Sequence, residues 1–133
     1  IKKPDSLEMP DFTIKLKKYS DLRYGENPHQ KAAVYYSQSE EKSELICCNQ
    51  IQGKELSYNN LIDADSALQC VQMLDNSACA IIKHANPCGV AENDNINLAW
   101  EKALQTDPIS AFGGIVALNR ELTLDLAKQM KSF

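Results

Sequence analysis

No apolar run in this chain approaches the roughly 20 residues that a helix needs to cross a bilayer. Cationic excess is also missing: the net charge is -4 and the pI about 5.1. The surface as a whole therefore offers no electrostatic basis for binding nucleic acid or an anionic membrane. A local basic pocket stays open, because an anionic ligand needs only a few positive groups. There is no C-x-x-C, and the five cysteines, at 47, 48, 70, 79 and 88, are odd in number and irregular in spacing. That excludes a disulfide framework and points to reduced thiols in a cytosolic protein. A zinc site is not expected either, since thiolate ligands come in close pairs beside further ligands. The G-x-G-x-x-G phosphate fingerprint, internal repeats, Gln/Asn tracts and Ser/Pro runs are all missing.

What is present is ordinary in amount. Residues that are 44% hydrophobic and 24% charged, over a length of 133, suffice for one domain. Such a domain buries on the order of two thirds of its unfolded surface. Ile1-Lys2-Lys3-Pro4-Asp5 is followed by no hydrophobic segment, so a secretory leader is not expected. The chain starts without Met and ends at Lys131-Ser132-Phe133, and is expected to belong to a longer polypeptide.

Residues 1–10, with two prolines and mixed charge, read as a linker. Alternation over Asp11–Lys17 predicts a half-buried strand with Phe12, Ile14 and Leu16 inward. Leu22-Arg23-Tyr24-Gly25-Glu26-Asn27-Pro28-His29-Gln30 predicts an ordered loop, because Gly25 and Asn27-Pro28 interrupt regular structure. Ala32–Tyr36 and Leu45–Cys48 read as short strands about a charged turn, Glu40-Glu41-Lys42. From Leu61 the apolar period lengthens to three and four: Leu61, Ala64, Leu68, Val71 and Leu74 predict a helix. Asn59 or Asn60 would cap it, and Asp63 and Asp65 would suit its positive end. Ala78–Ile82 predicts a buried strand ending in a turn, Lys83–Gly89, and then a polar loop, Glu92–Asn95. A second helix carries Ile96, Ala99, Trp100, Ala103 and Leu104, capped by Asp94 and stopped at Asp107-Pro108. Gly113-Gly114 lead into a strand, Ile115–Leu118, and Thr123 caps a last helix holding Leu124, Ala127 and Met130. Strands alternating with helices predict an α/β fold, a layered sheet with flanking helices.

The chemistry concentrates where the buried strand ends. His84 is a side chain that can accept a proton near neutrality, and Lys83 beside it can hold an anion or a developing oxyanion. An exposed lysine beside a histidine bonded to its own loop is the plainer reading of the same pair. Cys88 invites a nucleophile reading, but no orienting group accompanies it, and packing at a turn fits better. Trp100, on an apolar helical stripe, and Tyr35 and Tyr36, in a strand, read as structural.

Four segments taken together are more specific: Leu22–Gln30, Ser57–Ala64 (Ser-Tyr-Asn-Asn-Leu-Ile-Asp-Ala), Ile82–Gly89 (Ile-Lys-His-Ala-Asn-Pro-Cys-Gly) and Asp107–Gly114 (Asp-Pro-Ile-Ser-Ala-Phe-Gly-Gly). In this order, over residues from about 12 to 130, the chain resembles the formyltransferase part of the bacterial bifunctional purine biosynthesis proteins. That family joins aminoimidazole carboxamide ribonucleotide (AICAR) formyltransferase to IMP cyclohydrolase. The resemblance implies a cytidine-deaminase-like unit without zinc over 12–133, the first of two, with 1–11 a linker after an absent cyclohydrolase domain. It implies transfer of the formyl group of 10-formyltetrahydrofolate to the 5-amino group of AICAR, with no metal required, in a cytoplasmic homodimer. It also implies His84 as the catalytic base with Lys83 as partner, Arg23 and Tyr24 as a substrate-binding pair, and Asn60 and Gly113 lining the nucleotide site. Asn27 and His29 would shape the loop.

The missing second unit makes an inactive fragment the expectation for this chain alone. Two other classes stand beside this reading. One is a non-catalytic dimerisation or interaction module. The other is a zinc deaminase, which would need Pro-Cys-x-x-Cys, whereas position 91 is alanine.

Overall fold

The structure, a computed structural model, describes residues 13–38 and 44–131. The expected linker, Phe12 and the Glu40-Glu41-Lys42 turn lie outside those residues. The centre of the fold is β3 (Ser77–Lys83), in which Ala78 to Ile82 are all buried. It is the middle strand of an antiparallel three-stranded sheet, between β4 (Asn86–Asn93) and β5 (Ile115–Leu118). Strand side chains alternate between faces, so β3 serves two layers. Cys79 and Ile81 pack with Ala99, Trp100 and Ala103 of α3 (Ile96–Thr106), with Ala111 of α4 (Pro108–Ala111), and with Leu126 of α5 (Leu124–Met130). Ala78 and Ala80 pack on the other face against Val71 of α2 (Tyr58–Gln72). A continuous apolar strand is what a sheet covered on both sides requires. The expected α/β layering is therefore observed, as a mixed α/β fold with antiparallel pairing.

Close approach between layers has a specific cause at Gly89 on β4. A Cβ there would run into the carbonyl oxygen of Ala103, so the strand backbone rests directly on α3. Beyond β5, Asn119 joins three elements through one amide. Its Nδ2 donates to the carbonyls of Val71, Leu74 and Asn76, and its Oδ1 accepts from Ala78 N at 2.7 Å. The carbonyls left open where α2 ends thus find a donor.

Several expectations give way. β1 (Leu16–Asp21) begins later than the Asp11–Lys17 reading, pairing with β2 (Ala33–Ser37) in a separate hairpin. Ile14 and Leu16 are 66% and 57% exposed rather than inward. Alternation marks a face, but burial needs a second layer, and this hairpin packs chiefly on itself. Leu45–Cys48 is not a strand: α1 (Glu44–Cys47) is one helical turn. A four-residue apolar run does not distinguish the two.

The cap of α2 is Ser57 instead of Asn59 or Asn60; its Oγ accepts from Asn60 N while Asn60 Oδ1 accepts from Ser57 N, a capping box. Starting at Tyr58, the helix has no acidic residue in its first turn, so Asp63 and Asp65 do not serve the dipole there. Asn95, not Asp94, caps α3. α3 does stop at Asp107-Pro108, where Pro108 opens α4, and Thr123 does cap α5.

Candidate active-site cleft

The expected Lys83–Gly89 turn is shorter and tighter than its sequence suggests. β3 and β4 form a hairpin in which Lys83 faces Asn86, leaving His84 and Ala85 as a two-residue loop. Both loop residues have positive φ, 56° and 59°, the condition of a type I′ turn. Such turns ordinarily use Asn-Gly, and each non-glycine residue in this region costs about 1–3 kcal/mol. The register then slips: Ile82 faces Pro87, Ile81 faces Gly89, and Cys88 is the extra residue of a bulge. Its side chain packs against the Trp100 cluster, so Cys88 is structural, as expected.

Three contacts hold the hairpin tip. Asn86 Nδ2 donates to the His84 carbonyl at 2.8 Å. Ala85 N donates to Asp63 Oδ1, on α2, at 2.7 Å. Lys83 Nζ donates to the Phe112 carbonyl at 3.0 Å. That last bond ties the tip to the turn before β5, where Gly113 has a φ of 76° and open space beside its Cα.

The second wall is the loop before β2. Arg23 N donates to the Leu56 carbonyl at 2.9 Å, and Tyr58 N to the Tyr24 carbonyl at 3.0 Å. These bonds pin the loop across the start of α2. Farther on, Asn59 Nδ2 donates to the Glu26 carbonyl, and Asn27 N to Gln30 Oε1.

Between these walls lies an open cleft of about 630 Å³. Lys83, His84, Ala85 and Gly113 line it from the sheet side, Asn59, Ile62 and Asp63 from α2, and Glu26 and Asn27 from the loop. The volume is of the size that takes a small organic ligand, and its lining mixes polar and apolar surface. Of the residues expected from sequence, Lys83, His84 and Gly113 converge here. Arg23, Tyr24 and Asn60 do not line the cleft. The Arg23 guanidinium lies 4.7 Å from the Tyr24 ring centroid and donates to Tyr24 Oη at 3.0 Å. Asn60 Oδ1 is occupied by Ser57. Asn27 shapes its loop and also reaches the cleft, whereas His29 is exposed outside it.

Glu26, Asn59 and Asp63 were not expected in the site. Asn59, Ile62 and Asp63 fall at i, i+3 and i+4, one helix face, and that spacing was the available signal. Among the described residues, no group of three or more His, Cys, Asp or Glu side chains is placed to hold a metal ion.

Fold and cleft together define a mixed α/β unit that presents a lysine–histidine pair, from a strained hairpin tip, to an open cleft of small-ligand size. The sequence model of the AICARFT/IMPCHase bienzyme matches residues 2–133, nearly the whole chain. The chain belongs to that family, the bifunctional enzymes of purine biosynthesis.

Proposed function

We propose that this chain is the first cytidine-deaminase-like unit of the formyltransferase half of such a bienzyme, with residues 1–11 a linker from the cyclohydrolase domain. Its cleft would hold AICAR while 10-formyltetrahydrofolate delivers the formyl group. The observation that carries the reading is the convergence of Lys83, His84 and Gly113 on one cleft, in a chain matched by this family over residues 2–133.

The 5-amino nitrogen attacks the formyl carbon, forming a C–N bond, and the bond from that carbon to N10 of the folate breaks. The attacking nitrogen sheds a proton as it bonds, and tetrahydrofolate needs one at N10 as it leaves. His84, at the exposed hairpin tip, can accept the first and return it. Lys83 spends one of three ammonium hydrogens on the Phe112 carbonyl, which leaves two for the charge on the tetrahedral oxygen. Arg23, with its forked donors, suits the phosphate, and Tyr24 accompanies it. The cleft holds two carboxylates, Glu26 and Asp63, beside one lysine. A phosphate dianion therefore needs a cation from outside this lining, which is the place for Arg23. Asn60 sets the start of the helix from which Asn59 and Asp63 line the cleft.

A second unit and a partner subunit would complete the folate pocket, so this chain alone would not turn over. The edge of the cleft offers them a surface: Phe112, next to Gly113 and with its carbonyl on Lys83, is 70% exposed. In the complete bienzyme carrying this segment, His84→Ala should lower kcat for formyl transfer by about 10²–10⁴-fold, with cyclisation of formyl-AICAR intact. Formyl transfer at the unaltered rate would refute His84 as the base.

A further inference from the structure

The proposed chemistry makes no direct use of the contact that holds His84 in place. His84 and Ala85 both occupy the left-handed region; histidine enters it more readily than most residues, but alanine has no side-chain group to favour it. A two-residue hairpin loop of this kind persists only where the surroundings over-determine it. Within the hairpin, Asn86 bonds the His84 carbonyl. Lys83 ties the strand end to the Phe112 carbonyl, and a further anchor, made to the loop itself, comes from a different layer: Asp63 Oδ1 accepts the Ala85 amide at 2.7 Å, 22 positions away in sequence. A carboxylate acceptor makes this a charge-assisted bond, about twice as strong as a neutral one. Asp63 sits on the helix face that lines the cleft, with Asn59 and Ile62. This bond therefore ties α2 to the hairpin tip that carries the imidazole.

We propose that Asp63 is the positioning residue for His84: by holding the Ala85 amide it keeps the strained His84–Ala85 turn in the form that presents the imidazole to the cleft. The inference builds on the formyl-transfer reading, in which His84 is the base. Helix formation gives no reason for an aspartate here, since it lies beyond the first turn and its Oδ1 is turned to the hairpin. Glycine at Ala85 would remove much of the strain. Its absence fits a site where the turn is held from outside.

The test uses nuclear magnetic resonance on the 133-residue chain, following the Ala85 amide and the His84 ring in the unaltered protein, Asp63→Asn and Asp63→Ala. Asp63→Asn retains an oxygen acceptor and should keep both signals near their original positions. Asp63→Ala should speed exchange of the Ala85 amide by about tenfold relative to Asp63→Asn, and should shift the His84 ring resonances. Placing Ala85→Gly beneath Asp63→Ala should return much of the His84 shift, because a glycine turn needs less holding. This rescue would not follow if Asp63 merely supported the fold. An Ala85 amide and a His84 ring unmoved by Asp63→Ala would overturn the proposal, as would an equal shift with and without Ala85→Gly. AICAR added to the unaltered chain tests the underlying reading separately. If AICAR leaves the His84 ring unmoved while the variants behave as expected, the ligand assignment fails and the positioning role stands.

Discussion

Cys79 and His84 are five residues apart on one strand and its turn, and burial assigns them opposite duties. Cys79 is fully buried, and desolvation pushes its thiol up from 9.0 to about 12. It is therefore inert, since the thiolate is the reactive form. The folded state keeps this proton where the unfolded chain loses it. The stabilising contribution is complete below pH 9.0 and is lost as the pH rises from there toward 12. With iodoacetamide at a pH of about 8, Cys47 and Cys48, both exposed, should alkylate, and Cys79 should do so only once denaturant is added. Labelling of Cys79 in the native protein would show that β3 is not sealed. At the acid end Asp107 is held below its ordinary 3.8, chiefly by hydrogen bonds from Ser110, with a lesser contribution from Lys83. What Asp107 adds to stability is present above that value and fades as the pH falls below it.

Among the elements, α2 does the most for the cleft, and its N-terminus separates a residue that caps the helix from one that lines the cleft. The sequence allowed either Asn59 or Asn60 as cap. Both lie after a serine that can cap equally well, and only the backbone at Ser57, extended at φ -89° and ψ 169°, decides between them. Asn60 then serves as the reciprocal acceptor for Ser57, and Asn59 is released to hold the Glu26 carbonyl and face the cleft. Asn60→Asp keeps the accepting oxygen, so thermal unfolding should move little. Asn60→Ala should cost about 1 kcal/mol through the lost acceptor for Ser57 N, the reciprocal half of the capping box. A loss of AICAR binding in Asn60→Asp, at unchanged stability, would assign Asn60 a ligand contact as well. A large stability loss in Asn60→Asp would contradict the capping role.

At the level of the molecule, the legible parts were those whose cause is local. Apolar continuity gave β3, three-and-four spacing gave α2 and α3, and Thr123 and Pro108 marked ends that the structure keeps. Legibility failed where distant partners decide. The Lys83–Gly89 stretch contains Pro and Gly and reads as loop, yet β3 captures it from Asn86 onward and the bulge at Cys88 absorbs the mismatch. Leu45–Cys48 had the composition of a strand but found no sheet edge to join. In the cleft, Lys83 and His84 were visible because they stand where a buried apolar strand ends in turn residues, and Gly113 came with the resemblance. Asp63 was hidden because its partner, Ala85, is displayed by a turn whose geometry no propensity suggests. The resemblance supplied Arg23 and Tyr24, and the structure gives them a fixed backbone at the helix entrance without bringing their side chains into the cleft lining.

The central claim is that the Lys83–His84 cleft recognises AICAR within this unit, and calorimetric titration tests it most directly. AICAR titrated into the folded 133-residue chain should bind saturably. Arg23→Ala should weaken binding most, by about 1.5–3 kcal/mol for a charged hydrogen-bonding partner, and His84→Ala less, with thermal unfolding unchanged in both. No heat of binding from a sample shown to be folded, or an affinity indifferent to both substitutions, would contradict the claim.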